Sequence, residues 1–437
     1  MRAQENSVLT VSTAEGRALW VSTIAFTVSF AVWTIFAIIG IRIKAQLGLS
    51  ETEFGLLAGT PILTGSLARV FLGIWTDRYG GRLIFTLNML AASVATAFLV
   101  FAQTYPEMLL AALGVGLAGG SFAVGIAYVS RFYQKEQQGT VLGIFGAGNV
   151  GAAVTKFLAP FALVAWGWHA VALIWAAVLA VTAIIFWFTT TDDPLTVERR
   201  RTSDAPKAYA MELAPLKDVR VWRLAFYYFF TFGGFVALAL WLPRYLIGVY
   251  GFDIETAGMI AVAYSIPASI FRAYGGVLSD RIGARTVMYW CFGVSAIATL
   301  ALSLPPTDYV MHGTNGLITK HFEISPPVFV SIAFVLGFFM SIGKAAVFKH
   351  VATYYPDNVG SVGGLVGMIG GLGGFVLPIA FGFLNQVTGL WTSCFMLLFA
   401  IVMTLLVWMH ISIRRMEKSA AKSPGAREAL IPMGGQA

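Results

Sequence analysis

Gly73-Ile-Trp-Thr-Asp77-Arg78-Tyr-Gly80-Gly81-Arg82 returns 203 residues later as Gly276-Val-Leu-Ser-Asp280-Arg281-Ile-Gly283-Ala-Arg285. Both stretches read G-x-x-x-D-R-x-G-x-R. Each has an arginine eight residues before its aspartate, Arg69 and Arg272, again 203 residues apart. A second echo joins Gly139-Thr-Val-Leu-Gly143 to Gly360-Ser-Val-Gly-Gly364, with Gly146 answering Gly367. Two echoes of this kind make the chain a tandem of two homologous halves.

The sequence on either side of the motifs is strongly apolar. The 437 residues are 58% hydrophobic and only 11% charged, with a mean hydropathy of +0.77. Soluble domains carry about 25% charge. Apolar runs long enough to cross a bilayer need about 20 residues, and twelve are read: 18–40, 54–75, 83–103, 107–130, 139–163, 168–190, 222–247, 255–278, 286–304, 327–353, 359–385 and 389–411. The expected fold is therefore an all-α membrane protein with twelve transmembrane helices in two six-helix pseudo-symmetric halves. The expected divisions are an N-terminal half over 1–190, a cytoplasmic linker over 191–221, a C-terminal half over 222–411, and a polar, disordered cytoplasmic tail over 412–437. The polar opening and the long first run lack a small-residue cleavage site, so no cleavable leader is expected.

Charge placement sets the orientation. With the N-terminus inside, 20 of the 29 Lys and Arg residues fall on the inner side, and Arg42, Lys44, Arg244 and Lys320 fall outside. This is the positive-inside pattern. It places both termini in the cytoplasm and accounts for the net charge of +8 without a nucleic-acid partner. Cys291 and Cys394 lie in apolar runs and are expected to be free thiols. The five histidines show no metal-ligand spacing, and no cofactor-binding or catalytic constellation is found. An enzyme is not indicated. A receptor would need a signalling domain, and the linker and tail are too short for one.

The embedded charges point to chemistry. Arg69, Lys156, Arg272, Lys344 and Lys349 fall within apolar spans, and no Asp or Glu falls near the middle of one. Charges at that depth are costly and mark sites; cations without carboxylates call for an anion. At 1.5 Å per residue, Arg69 and Arg272 lie about 12 Å from the motif aspartates, and Asn149 about 15 Å into its span. Two guanidinium forks from matched helices could hold a small anion between them, with the Asn149 amide as a further donor. The glycines from Gly360 to Gly374 let helices approach and slide, and Asp77, Arg78, Asp280 and Arg281 suit a gate on the inner side.

Duplicated halves with the D-R-x-G-x-R loop resemble the major facilitator superfamily. Within it, Gly146-Ala-Gly148-Asn149-Val-Gly151-Ala-Ala and Gly363-Gly364-Leu-Val-Gly367-Met-Ile-Gly370-Gly371-Leu-Gly373-Gly374 are similar to the paired signature of the nitrate/nitrite porter family. Phe30-Ala-Val-Trp-Thr-Ile-Phe-Ala-Ile-Ile-Gly40 and Gly59-Thr-Pro61-Ile-Leu-Thr-Gly65-Ser are similar to it too. The resemblance implies a functional monomer in a bacterial-type inner membrane. It implies a planar anion, nitrate or nitrite, held by Arg69, Arg272, Asn149 and Tyr228, with Phe122 and Phe348 on its two faces. Gly148, Gly151, Gly367, Gly370 and Gly371 are the conformational glycines. Lys156 and Lys344 stand where nitrate/nitrite exchangers of the family have neutral residues. Nitrate cannot carry a proton, and a buried lysine can, so these two are the expected proton-coupling residues of a nitrate–proton symporter. The alternatives are nitrate/nitrite exchange and another small anion such as oxalate.

Overall fold

A computed structural model describes residues 13–202, 214–314 and 316–422. It is almost wholly helical, and the helices follow from the apolar runs. α1 is Ala14–Leu47, α2 Glu51–Tyr79, α3 Gly81–Phe101 and α4 Tyr105–Ser130. One continuous stretch, Gln138–Thr189, is 52 residues long, far more than one crossing needs. It breaks at Gly167, where φ is 77° and ψ 171°. A residue with a Cβ strains there, so a single glycine turns the chain back without a loop. The stretch is thus α5 over 138–166 and α6 over 168–189. The second half repeats the pattern with α7 Val219–Tyr250, α8 Ile254–Ile282, α9 Ala284–Leu302, α10 Pro326–Tyr354, α11 Val359–Thr388 and α12 Ser393–Lys422. Twelve long helices are thereby counted among the described residues.

The repeat extends to the ends of the helices. α2 starts at Ser50, which forms a capping box with Glu53; α8 starts at Asp253, which accepts from the Thr256 amide at 2.8 Å. Both caps satisfy amides that the first turn leaves bare. Both helices end on the motif glycine, Gly80 at φ 95° and Gly283 at φ 86°. A left-handed residue there reverses the chain in one step, which explains why the motif carries glycine at this point. Asp77 and Asp280 accordingly sit in the last turns of α2 and α8 rather than in loops.

Three features differ from the sequence expectation. A β-hairpin, β1 Thr307–Gly313 and β2 Gly316–Phe322, stands between α9 and α10; hydropathy ended the span and gave no signal for strands. The linker holds a short helix, Pro194–Thr202, started by Asp193, which accepts from the Thr196 amide. The tail does not begin at 412. α12 continues to Lys422, because its basic and alanine residues favour helix as strongly as the apolar turns before them. The last fifteen positions of the expected tail, from 423 on, lie outside the described residues, as does 203–213 of the linker.

The halves meet along two symmetry-related seams, α2 on α11 and α5 on α8. Glycine allows backbone to touch backbone. A Cβ on Gly364 would lie 2.5 Å from the Arg69 carbonyl oxygen, and one on Gly143 would lie 2.7 Å from the Arg272 carbonyl oxygen. On the motif-bearing face each aspartate crosses its seam to the start of the other half's helix. Asp77 accepts from the amides of Gly360 at 3.0 Å and Ser361 at 2.7 Å. Asp280 accepts from those of Gly139 at 2.9 Å and Thr140 at 2.6 Å. A carboxylate at a helix N-terminus meets both free amides and the positive end of the dipole.

Candidate anion-binding site

The helices are irregular at mid-depth. α4 tightens over Gly116–Gly120, α5 over Ala147–Val150, and α7 widens over Phe229–Gly234. Such stretches leave carbonyls and side chains aimed differently from a regular helix. Arg69 and Arg272 lie between them, both completely buried.

Each arginine reaches across its seam to a glycine of the other half. Arg69 lies against Gly367 of α11, and Arg272 against Gly146 of α5. These are the two glycines that answer each other in the repeat, and a Cβ at either would press on the guanidinium arm. The two arginines then part company. Arg69 donates through Nε to the Gly119 carbonyl at 3.0 Å and through Nη1 to the Gly367 carbonyl at 2.6 Å, leaving Nη2 free. Arg272 has no hydrogen-bonded acceptor for Nε, Nη1 or Nη2. The Tyr228 hydroxyl comes close to it without reaching good hydrogen-bond geometry.

Aromatic rings fill the ground between the cations. The Arg69 guanidinium stands 5.3 Å from Trp33, 5.6 Å from Phe122 and 5.5 Å from Phe232. The Arg272 guanidinium stands 4.7 Å from Phe122, 5.9 Å from Tyr228 and 5.8 Å from Phe348. Phe122 therefore touches both charges, and its negative π-face offsets part of their repulsion. Phe122 and Phe348 meet edge to face, with centroids 4.9 Å apart and planes at 89°. The near-parallel pairs are Phe122 with Tyr228, at 6.1 Å and 7°, and Tyr228 with Phe232, at 5.0 Å and 3°. In this conformation the rings are thus a packed cluster and not two plates. Asn149, in the tightened turn of α5, is buried with both amide atoms unpaired.

Other residues named from the sequence lie elsewhere. Lys344 is buried inside the second half, where its ammonium donates to the Ala268 carbonyl at 2.9 Å and sits 3.6 Å from the Phe235 ring. Lys156 is half-buried, two turns beyond Asn149. Gly148 and Gly151 let α5 lie against Thr23, Thr27 and Ala31 of α1, within one half. Gly370 and Gly371 do face the site, against Tyr228 and Ser66. Lys349 is no embedded charge; it pairs with Asp280 at 2.7 Å. Arg78 lies beside the Tyr79 ring, and Arg281 is exposed.

Three contributors escaped the sequence. Trp33 borders Arg69 and donates to the Pro61 carbonyl at 2.7 Å, tying α1 to α2. Arg131 bonds Asp77 at 2.7 Å and reaches Asp193 at 3.4 Å. Asp193 also receives Gly81 and Thr196, so the linker is fastened to the motif. The only signal for Arg131 was a lone charge at the end of a span.

The chemistry of the centre is one-sided. Arg69 Nη2, all three Arg272 nitrogens, the Asn149 amide and the Tyr228 hydroxyl are buried donors without acceptors, and no carboxylate pairs with either arginine among the described residues. Buried donors are normally satisfied, and an oxyanion is the chemistry that would satisfy them.

The Major Facilitator Superfamily model matches residues 21–311 and 249–434, and the chain belongs to that superfamily of multi-pass membrane transporters. A solved transporter, FucP in its outward conformation, superposes with a TM-score of 0.68 at 14% identity, covering 90% of this chain and 99% of that one. A Thermus thermophilus protein named "Probable nitrate/nitrite antiporter NarK1" is 40% identical over 93% of both chains. The Bacillus subtilis (strain 168) "Nitrite extrusion protein" is 28% identical over 90% of this chain and 94% of its own. Within the superfamily the chain is a member of the nitrate/nitrite porter family.

Proposed function

We propose that this protein imports nitrate by proton symport, holding the anion between Arg69 and Arg272 while the two halves alternate about it. The observation that carries this reading is the set of unpaired buried donors on two full positive charges with no carboxylate beside them. Asn149 and Tyr228 add neutral donors, and Phe122 and Phe348 bound the anion once the ring cluster opens. Midplane binding between repeats is the transporter arrangement. The membrane is a bacterial-type inner membrane, both termini are cytoplasmic, and the working unit is a monomer. The relatives' names support nitrate and nitrite as the substrate class.

Lys156 and Lys344 are the proposed proton carriers. Neither has a carboxylate partner among the described residues, and the Lys344 ammonium meets the Ala268 carbonyl and the Phe235 ring. The anion-free lysine gives up its proton, and an arriving anion restores it. The second reading is nitrate/nitrite exchange, which the word "antiporter" in one relative's name favours.

Uptake of labelled nitrate into proteoliposomes separates the readings. Symport requires accumulation driven by an inward proton gradient, lost when Lys156 and Lys344 are both replaced by Met. Uptake that ignores the gradient but needs nitrite inside the vesicle would establish exchange instead.

A further inference from the structure

The repeat keeps a second polar residue beside each central arginine. Aligned at the 203-residue offset, positions 56–72 and 259–275 agree only at Ala58 with Ala261, Ser66 with Ser269 and Arg69 with Arg272. A matched serine thus stands three residues before each matched arginine. Residues three apart on a helix share a face, here about 4.5 Å apart along the axis.

The structure turns both serines away from the exposed side. Leu67, Phe71 and Trp75 form the exposed stripe of α2, and Ile266, Ile270 and Tyr274 that of α8. Ser66 and Ser269 lie off these stripes and are buried with their arginines. On α2 the setting is explicit. A Cβ on Gly371 of α11 would lie 2.2 Å from Ser66 Oγ and 3.1 Å from Arg69 Nη1, so hydroxyl and guanidinium stand side by side against one point of the other half.

Each hydroxyl is parked on its own helix. Ser66 donates to the Ile62 carbonyl at 2.6 Å, and Ser269 to the Ser265 carbonyl at 3.0 Å. These are the carbonyls four residues back, which the helix already pairs with the serines' own amides. A hydroxyl that turns away therefore strands no acceptor. Neither serine side chain bonds another helix among the described residues.

We propose that Ser66 and Ser269 are anion-binding residues. When the anion arrives, each hydroxyl leaves its own helix and donates to an anion oxygen beside the guanidinium of the same helix. Two forks and two hydroxyls then form a donor set matched to an ion with several acceptor oxygens. The assignment rests on the site proposed above between Arg69 and Arg272, and it names the hydroxyls that complete that site.

The test is calorimetric titration of nitrate into the full chain purified in detergent, for the wild type and for Ser66→Ala, Ser269→Ala and the double variant. Hydrogen bonds to a charged group are the strong kind, so each single variant should bind nitrate about tenfold more weakly, and the double variant about a hundredfold. Alanine favours the helix at least as well as serine, so the unfolding temperature of the anion-free chain should not fall. Thr64→Ala is the control. Its hydroxyl is parked in the same way, on the Thr60 carbonyl at 3.0 Å, but the other half has Pro267 at that position, and nitrate affinity should be unchanged. Wild-type affinity in both serine variants, or an equal loss from Thr64→Ala, would overturn the assignment and leave the arginine site standing. A wild-type chain that binds no nitrate would overturn both.

Discussion

The two central arginines are equivalent in sequence and unequal in structure, and the inequality can be measured. Arg69 satisfies two carbonyls, Gly119 and Gly367. Arg69→Lys strands at least one of them, at a cost of about 1–3 kcal/mol for a buried unpaired group. Arg272→Lys removes a fork that satisfies no acceptor. Both changes should abolish nitrate binding, since an ammonium cannot present the planar fork. Only Arg69→Lys should markedly lower the unfolding temperature of the anion-free protein. Calorimetric titration and thermal scans of both variants check this; equal destabilisation would show that the partners of Arg69 are not what set it apart. The pair itself was legible because a repeat-matched charge in an apolar span stands out. Which arginine is tied down was not, because that depends on carbonyls exposed by a tightened turn at Gly116–Gly120, and no side-chain pattern encodes it. The place of Lys344 was equally hidden. Phe348, four residues on, turns to Arg272, while the Lys344 ammonium turns to Phe235.

At the level of elements, the helix count and the motif turns could be read from hydropathy and glycine, while the hairpin and the length of α12 could not. β1 and β2 do not sort their residues by side: Lys320 shares a face with Tyr309, Met311, Ile318 and Phe322, and Val310 and Leu317 share the other with Asp308, His312, Thr319 and His321. A short stretch without clean alternation, set between two strong spans, gives no strand signal. Asp308 and His321 are directly opposed and meet at 2.7 Å. The carboxylate raises the imidazole pKa above its ordinary value. The pair therefore supports the hairpin fully below about pH 6.5, and the support fades as pH rises through the elevated folded value. Amide exchange over Thr307–Phe322, corrected for intrinsic rates, should be slower at pH 6 than at pH 8, and His321→Gln should remove the difference. The α5–α8 seam gives a second test. A Cβ on Gly276 would lie 2.7 Å from the Gly139 carbonyl carbon. Gly276→Ala should push the helices apart and release Asp280 from Gly139 and Thr140. A cysteine placed at Thr140, whose amide and hydroxyl bond Asp280 across the seam, should then be alkylated several times faster. Cys291 and Cys394 are buried and give little background. An unaltered rate would mean the seam absorbs the methyl without opening.

Across the whole molecule the closest backbone ties between the halves come in reciprocal pairs. Asp77 takes the amides of Gly360 and Ser361, and Asp280 takes those of Gly139 and Thr140. Arg69 rests on Gly367, and Arg272 on Gly146. If residue i of one partner touches j of the other, j touches i in return, which is the rule of an isologous two-fold dimer. The protein is in this sense a homodimer written as one polypeptide. A ligand bound away from such an axis would find two equal berths; a ligand bound on it finds one, shared by both partners. Arg69 and Arg272 both approach a single ring, Phe122, so a berth between them would be shared by both halves. Saturation with nitrate should therefore reach about one anion per chain in equilibrium dialysis, and a plateau at two would place the sites off the axis. Fusion also frees each copy to drift. Gly370 stands where Asn149 would recur at the second echo's spacing, and a lone amide can greet the anion from one flank only. A true homodimer could never hold a lopsided ion in a fixed orientation; this chain, having lost the identity of its two partners, can.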